Sequence, residues 1–508
     1  MNFALAALSG ILLVLCFPKF DFVWLAPFAL TPVVIAVARE DSVRWRFALG
    51  YLMGLVYWAG INYWIHDVLR EHGGILPVMA WVSFILFCLA KAIHIGVFAL
   101  LAGWAMRHPW AAIAVPAIWV SIEWTNGPFG FAWLDLGNAG IDMDYPMRLA
   151  PFTGVYGLSF LFALMSTALA MPFLRRPRVQ MAPLLLMAVL AVLPGLPGSE
   201  RGQSAAVLVQ PNIPDDQIWN PATFGSTVQQ LELLSMVTGS DPARQPDLLV
   251  WPEVPAPFYE NTPEMTKMAQ RAGRGGRTYF LAGIVGRTEQ GEPLNSAALW
   301  GPDGAEISRY DKVNLVPFGE FVPWPFDFLA YKVSTEAGDF KPGTKIVVSR
   351  VNGHGIGTFI CYESVFPAFV RKFALNGAEA LFNLSNDSWF GTSGARFQHL
   401  KIVRMRAAEN ARWILRATND GITVAIDPAG RVTREAPSYQ PASLRMGFNY
   451  RQSLTFYTRY GDWFVLVCAL VGVLAIRPVR AERRSDSGSV RSPGLPNQTG
   501  ADPAPPAN

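Results

Sequence analysis

The chain has 508 residues, of which 51% are hydrophobic and only 16% charged. Soluble domains average about 25% charged residues, so a protein lying wholly in water is excluded. The net charge of +4 gives no reason to invoke nucleic acid, because the arginines mark the edges of apolar runs and form no basic stripe.

Apolar runs of membrane-spanning character lie near residues 2–17, 21–38, 46–65, 75–105, 109–124, 152–174, 181–198 and 463–477. A span needs roughly 20 predominantly apolar residues, which predicts a bundle of about eight transmembrane helices. The first run has no basic residue before it and no small-residue cleavage box after it, and "LVLC" places the large Leu15 where a lipoprotein signal wants a small residue. It reads as a retained helix. Arg39, Arg44 and Arg46, then Arg107, then Arg175, Arg176 and Arg178, and finally Arg477, Arg480, Arg483 and Arg484 fall in every second loop, while the loop 125–150 carries Asp135, Asp142 and Asp144. Basic loops stay cytoplasmic, so both termini are expected inside and residues 199–462 outside. The tail from 479 is rich in Arg, Ser, Pro and Gly and is expected to be disordered.

In the outer block, short apolar runs bounded by turn residues predict strands at 205–210, 247–253, 278–286, 296–300, 355–360, 379–385 and 422–427. Helices are predicted between them at "NPATFGSTVQQLELLSMV", at "TPEMTKMAQRAG" with Thr262 as cap and Pro263 in the first turn, and at "RFQHLKIVRMRAAENARW". Interleaved strands and helices place this block in the α/β class. Polar groups end the strands: Glu253 ends "LLVWPE", Cys361 ends "GIGTFI", and Asn383 and Asn386 end "EALFNLSN". In open α/β sheets, ligand-binding and catalytic groups gather beyond the carboxyl ends of strands.

Of the four cysteines, Cys16, Cys88 and Cys468 lie inside apolar runs, and Cys361 alone belongs to the outer block, so no internal disulfide can form there. Taken singly, Cys361 suits a buried thiol, Lys312 a solvated surface cation and Glu253 an ion-pair partner. Together they suit covalent catalysis. A carboxylate takes the thiol proton, and the lysine keeps the carboxylate ionised and holds the oxyanion of a tetrahedral intermediate. The N–H of Tyr362 would be a second oxyanion donor. No nucleotide-binding loop and no clustered His/Cys set appears, so no cofactor and no metal is expected.

"WPE", "YDKVNLVPFGE" and "CYE" place Glu253, Lys312 and Cys361 at separations of 59 and 49 residues. In this the block resembles the nitrilase superfamily and its Glu–Lys–Cys triad. The words "LVQPNIP", "LVPFGEFVP", "SNDSWFG" and "HLKIVRMRAAENARW", set between an amino-terminal bundle and one late helix, resemble more narrowly the apolipoprotein N-acyltransferase family along nearly the whole chain. The resemblance implies an α-β-β-α sandwich facing the periplasm, on a multi-pass protein of the bacterial inner membrane. The implied domains are a transmembrane bundle over 1–198, a catalytic domain over 199–450, a linker and last helix over 451–478, and a tail over 479–508. The implied reaction moves an acyl chain from a phospholipid, through a thioester on Cys361, to the α-amino group of the N-terminal diacylglyceryl cysteine of an apolipoprotein. In it Glu253 is the base, Lys312 the oxyanion partner and Cys361 the nucleophile. Glu320, Trp219, Tyr362 and Glu363 match further active-site positions.

Each of these four also has a plain structural reading: a loop ion pair for Glu320, core packing for Trp219, and turn completion for Tyr362 and Glu363, the latter paired to an arginine. The aromatic residues Trp324, Phe326, Phe328 and Tyr331, with Trp389 and Phe390, suit mobile lids over a lipid groove at a membrane interface. A membrane-anchored amidase using water as acceptor is the alternative within the superfamily, although one anchor would serve it. A transporter or sensor would put ionisable residues within its spans. His66, Asp67, His94 and Glu123 are few and stand mostly near span ends.

Overall fold

Small residues bring the first helices together. In the computed structural model, which describes residues 1–72, 76–128, 131–214, 216–236, 245–260, 262–273, 278–321 and 340–476, the chain begins with α1 (Asn2–Leu15), α2 (Thr31–Ala38), α3 (Val43–Ile61), α4 (Trp64–Glu71), α5 (Pro77–Ala105) and α6 (Ala111–Trp124). Gly50 and Gly54 on α3 face α5. A Cβ on Gly50 would lie 2.4 Å from the Ile95 carbonyl oxygen, and one on Gly54 would lie 2.9 Å from Ala92 Cα. Glycines four apart permit this backbone approach, as in helix pairs within membranes. One-turn α7 (Asp144–Met147) and α8 (Ala150–Thr153) lead to α9 (Val155–Phe173) and the short α10 (Met187–Val192).

Among the described residues, two helices are long and apolar enough to cross a membrane, α5 with 29 residues and α9 with 19. Several of the other expected spans are shorter or broken. Residues 21–38 form a 3-10 turn, Val23–Leu25, and the eight-residue α2, because Pro27 and Pro32 deny backbone donors to a continuous helix. Residues 178–186 form a 3-10 segment around Pro183 that passes into six-residue α10. Helices α1 and α6 have 14 residues each, about 21 Å at 1.5 Å per residue, against a hydrocarbon core of about 30 Å.

Period-two alternation builds the second half. In β1 (Ser204–Gln210), Ala206 and Leu208 enter one apolar core, and Val207 and Val209 another. The remaining strands are β2 (Leu248–Val250), β3 (Tyr279–Arg287), β4 (Pro293–Trp300), β5 (Glu306–Asp311), β6 (Val348–Val351), β7 (His354–Ile360), β8 (Ala380–Ser385), β9 (Ile414–Thr418), β10 (Val424–Ile426), β11 (Val432–Glu435) and β12 (Ala442–Phe448). Among the described residues they form two six-stranded sheets, ordered β12-β1-β2-β3-β4-β5 and β11-β10-β9-β8-β7-β6. Residues of both sheets share one core. Leu231 of α11 (Pro221–Met236), with Met265 and Met268 of α12 (Pro263–Gly273), covers the outer face of the first sheet. Phe373 of α13 (Pro367–Leu375) and Val403 of α14 (Ala395–Asn410) pack on the second. The layers are therefore α-β-β-α. Helices α15 (Phe456–Tyr460) and α16 (Trp463–Ala475) close the described chain.

All seven predicted strands and the three predicted helices of this block are present. Strands β5, β6, β9, β11 and β12 and helix α13 had no counterpart in the sequence reading. β5, β6, β11 and β12 stand near or at sheet edges and are half-polar, as in "VTRE". The expected tail 479–508 and the residues Trp324, Phe326, Phe328 and Tyr331 lie outside the described residues.

Candidate active site

The parallel strands set the site. β1, β2 and β3 run parallel in one sheet, as do β7, β8 and β9 in the other. Glu253 follows β2, Cys361 follows β7 and Asn386 follows β8, so three of the expected groups lie beyond carboxyl ends. Lys312 directly follows β5, and its N–H donates to the Asn295 carbonyl of β4 at 2.8 Å.

Lys312 is 1% exposed and lies between two carboxylates. Its Nζ is 3.2 Å from Glu253 Oε1 and 2.8 Å from Glu320 Oε2. Asn295 Nδ2 donates to both acids, at 2.8 Å to Glu253 Oε1 and 2.7 Å to Glu320 Oε1. The Asn386 N–H donates to Glu253 Oε2 at 2.9 Å, and the Val316 N–H to Glu320 Oε2 at 2.8 Å. Burial alone would lower the pKa of Lys312, but the charges of Glu253, Glu320 and Cys361 outweigh it and hold the ammonium protonated well above its usual range. Burial, reinforced by Glu253, pushes the Cys361 thiol up, against the pull of Lys312 and of a hydrogen bond with Ser385. Cys361 thus rests as a thiol.

Cys361 opens a 3-10 turn, Cys361–Val365, with φ +47°. A non-glycine residue in the left-handed region is strained and persists where its surroundings over-determine it. Glu363 does much of this. Its Oε2 accepts from the Ile360 N–H at 2.8 Å, and its Oε1 accepts from Tyr310 Oη at 2.7 Å, the Val313 N–H at 2.8 Å and the Asn314 N–H at 3.1 Å. The expected arginine partner is replaced by these four donors, which tie the nucleophile turn to the segment after Lys312. Burial pushes Glu363 up to about 7 against the stabilising pull of the donors.

Tyr362 meets the helical half. Its hydroxyl donates to the Ala132 carbonyl at 3.2 Å, and its ring stacks on Phe131 with centroids 5.5 Å apart. Phe390 packs edge-on to Trp64 at 5.0 Å, while Trp389 lies over His72 at 4.7 Å. A cleft of about 510 Å³ opens beside Tyr362, with Leu315, Phe321, Phe340 and Phe366 in its walls. Trp219 stands apart from this cluster, partly exposed in the loop before α11, with its ring edge-on to Phe224 at 6.5 Å.

The sequence reading did not single out Asn295, the shared donor of the two acids, nor the group behind the nucleophile. There Arg416 Nη2 donates to Asp387 at 2.6 and 2.7 Å, and His399 contacts both Asp387 and the Cys361 carbonyl. "SNDSWFG" and "HLKIVRMRAAENARW" contain Asp387 and His399, but only the fold brings them to Arg416 in the middle of β9. In the helical half, Glu123 Oε1 accepts from Trp119 Nε1 at 3.1 Å and from the Leu136 N–H at 2.7 Å. Among the described residues, no group of His, Cys, Asp and Glu side chains could hold a metal ion.

Residues 9–168 match the apolipoprotein N-acyltransferase N-terminal domain, and residues 205–443 match the carbon-nitrogen hydrolase family. A protein of Geobacter metallireducens named apolipoprotein N-acyltransferase is 34% identical over 94% of this chain and 95% of its own length. The chain belongs to the apolipoprotein N-acyltransferase family. A Pseudomonas putida member is 33% identical over 88% of this chain and 92% of its own. Among solved structures, a Saccharomyces cerevisiae member of branch 10 of the nitrilase superfamily matches with a TM-score of 0.38 and 17% identity, over 50% of this chain and 93% of its own. The carbon-nitrogen hydrolase match coincides with the two-sheet sandwich, and the N-terminal family match with α1–α9.

Proposed function

We propose that this enzyme moves an acyl chain from a membrane phospholipid to the α-amino group of the S-diacylglyceryl cysteine that begins an apolipoprotein, by way of a thioester on Cys361. The observation that carries the reading is the buried Lys312 bracketed by Glu253 and Glu320 beside a protonated thiol. Glu253 takes the thiol proton as sulfur attacks the ester carbonyl. The oxyanion forms against Lys312 and the Tyr362 N–H, and collapse expels the lysophospholipid oxygen, which leaves with the proton from Glu253. In the second half, the neutral amine of the acceptor attacks the thioester, Glu253 takes its proton, and the thiol is regenerated. Glu320 holds Lys312 from its far side, and Glu363 fixes the turn that carries Cys361 and Tyr362. Trp389 and Phe390 line the approach from the bundle, and Trp219 on its exposed loop is placed to meet a bulky acceptor.

Both lipids reside in a bilayer. The reading therefore includes a transmembrane bundle over 1–198 of about eight helices with the last one at 451–478, a catalytic domain over 199–450 facing the periplasm, both termini cytoplasmic, and residence in the bacterial inner membrane. The short helices serve as spans where the bilayer thins locally around them.

The test is made on full-length protein with a synthetic diacyl phospholipid in detergent. Intact mass should rise by one acyl group on Cys361, and hydroxylamine should remove it. A diacylglyceryl-cysteine peptide should then discharge it, and double-reciprocal plots with both substrates varied should be parallel. Intersecting lines without an acylated Cys361 would sink the reading. Rapid discharge by water alone would identify an amidase-like hydrolase.

A further inference from the structure

We infer that His399 is a positioning residue of the oxyanion site: by holding the Cys361 carbonyl oxygen, it aims the Tyr362 N–H at the carbonyl under attack. The inference rests on the acyl-enzyme reading above.

A peptide group is planar and trans, so the C=O of Cys361 and the N–H of Tyr362 point in opposite directions from one rigid plate. Whatever fixes the oxygen fixes the hydrogen. His399 Nε2 lies 3.2 Å from the Cys361 oxygen. A carbonyl oxygen only accepts, so the contact is a hydrogen bond in the tautomer that protonates Nε2, and the Arg416 cation lets Nδ1 stand unprotonated beside Asp387 Oδ1 in that tautomer. Nδ1 is then an acceptor, and Arg416 Nη2 stands 3.1 Å from it. The same Arg416 nitrogen binds Asp387 at 2.6 and 2.7 Å, which leaves that carboxylate matched to a cation. Asp387 Oδ1 lies 3.2 Å from Nδ1, and Ser364 Oγ lies 2.9 Å from Nε2. His399, Asp387 and Arg416 are completely buried. The Trp133 and Phe390 rings flank the imidazole at 5.9 and 5.8 Å. Burial and the Arg416 charge both lower its pKa, in keeping with a neutral ring.

On the other side of the plate, the Tyr362 N–H lies in the first turn of the 3-10 segment, where N–H groups lack an intrasegment partner. It has no hydrogen-bond acceptor outside that segment among the described residues. The φ of +47° at Cys361 turns the plate to this orientation, and the His399 contact opposes its return to an ordinary conformation. As the Cys361 S–C bond forms, the π pair of the ester moves onto oxygen, the free N–H meets that charge, and the thiol proton passes to Glu253.

The test compares His399→Gln, whose amide nitrogen reaches the Nε2 position, with His399→Asn, which reaches only Nδ1, and His399→Met, which has no donor. Two reactions of Cys361 are read in the full-length protein. Acylation by p-nitrophenyl butyrate forms an oxyanion and releases a burst of nitrophenolate. Alkylation by iodoacetamide displaces iodide and forms none. Acylation should survive in Gln and fall about 10²–10³-fold in Asn and Met, the effect of removing one oxyanion donor, while alkylation stays unchanged in all. Undiminished acylation in Asn and Met, or parallel loss of both reactions, overturns the inference alone. A wild type without a Cys361-dependent burst overturns the acyl-enzyme reading and this inference with it. If Asn and Met do not accumulate, Gln decides: a folded Gln variant that alkylates without acylating refutes the role.

Discussion

Lys312→Met removes one positive charge and little volume from a site that holds two carboxylates. In the native protein, one ammonium serves Glu253 at 3.2 Å and Glu320 at 2.8 Å, and Asn295 bridges the same two acids. Without the ammonium, two buried carboxylates keep only the shared Asn295 amide and one backbone N–H each. Removing one partner of a buried ion pair costs about 3–5 kcal/mol, mostly because the remaining charge is left uncompensated. At about 2–4 °C per kcal/mol for a domain of this size, the Tm should fall by about 6–20 °C. Thermal unfolding in detergent, at one fixed scan rate because such proteins unfold irreversibly, measures it. The double variant Lys312→Met/Glu320→Gln deletes one of the two stranded charges and should recover part of the loss. Its acyl transfer should remain about 10²–10³-fold down, because the cation facing the oxyanion is still missing. A Lys312→Met protein as stable as the wild type, or a double variant no more stable than the single one, would refute the charge balance argued here.

Cys361→Ala should fold and insert normally and lose transfer entirely, read by mass spectrometry of the acceptor peptide; retention of more than a trace of transfer removes Cys361 from the reaction. Glu363 has its folded pKa pushed up to about 7 by burial, above about 4.3 for a free glutamate. Its stabilising contribution is therefore complete below pH 4.3 and is lost as pH rises through 7. Glu409 is also pushed up to about 7, so the slope of Tm against pH between 5 and 8 must be compared between wild type and Glu363→Gln; a slope unchanged in the variant assigns the titration elsewhere. In intact spheroplasts, a membrane-impermeant thiol reagent should label a cysteine placed at Ser226 and spare one placed at Ser489; the opposite pattern overturns the topology.

Legibility in the sequence followed the physics of each feature. Buried parallel strands must be continuously apolar, so Glu253, Cys361 and Asn386 stood out as interruptions at strand ends. Edge strands such as β11, "VTRE", are half-solvated and carry no such contrast. Apolar composition marked the segments suited to lipid, but helix continuity depends on single prolines, which is why residues 21–38 and 178–192 are broken. Glu363 suggested an arginine partner because charge is visible in sequence, whereas the backbone N–H groups that hold it are not. Asp387, His399 and Arg416 lie on a turn, a helix and a strand, and each looks ordinary on its own element. Their proximity arises only from the packing of α14 against the second sheet.

The helical half and the sandwich meet beside Cys361, and the meeting bears on the fate of the proposed thioester. Gln398 of α14 is buried with both amide hydrogens and its oxygen engaged: Nε2 donates to the Pro18 and Ile61 carbonyls at 2.7 and 3.1 Å, and Oε1 accepts from Trp133 Nε1 at 2.7 Å. Lys91 of α5 donates to the Phe131 carbonyl at 3.0 Å and to Asn126 Oδ1 at 2.6 Å, fixing the loop whose next carbonyl takes the Tyr362 hydroxyl. Trp64, Phe131, Trp133 and Phe390 fill the space between. A soluble hydrolase must admit water to its acyl-enzyme. Here one side of the residue next to the thiol is covered by aromatic rings from the helical half, and buried hydrogen bonds hold those rings in place. Excluding water preserves a thioester long enough for a second substrate to arrive, and this gives a physical reason for the nucleophile turn to be packed against a helical bundle rather than tethered by a single anchor.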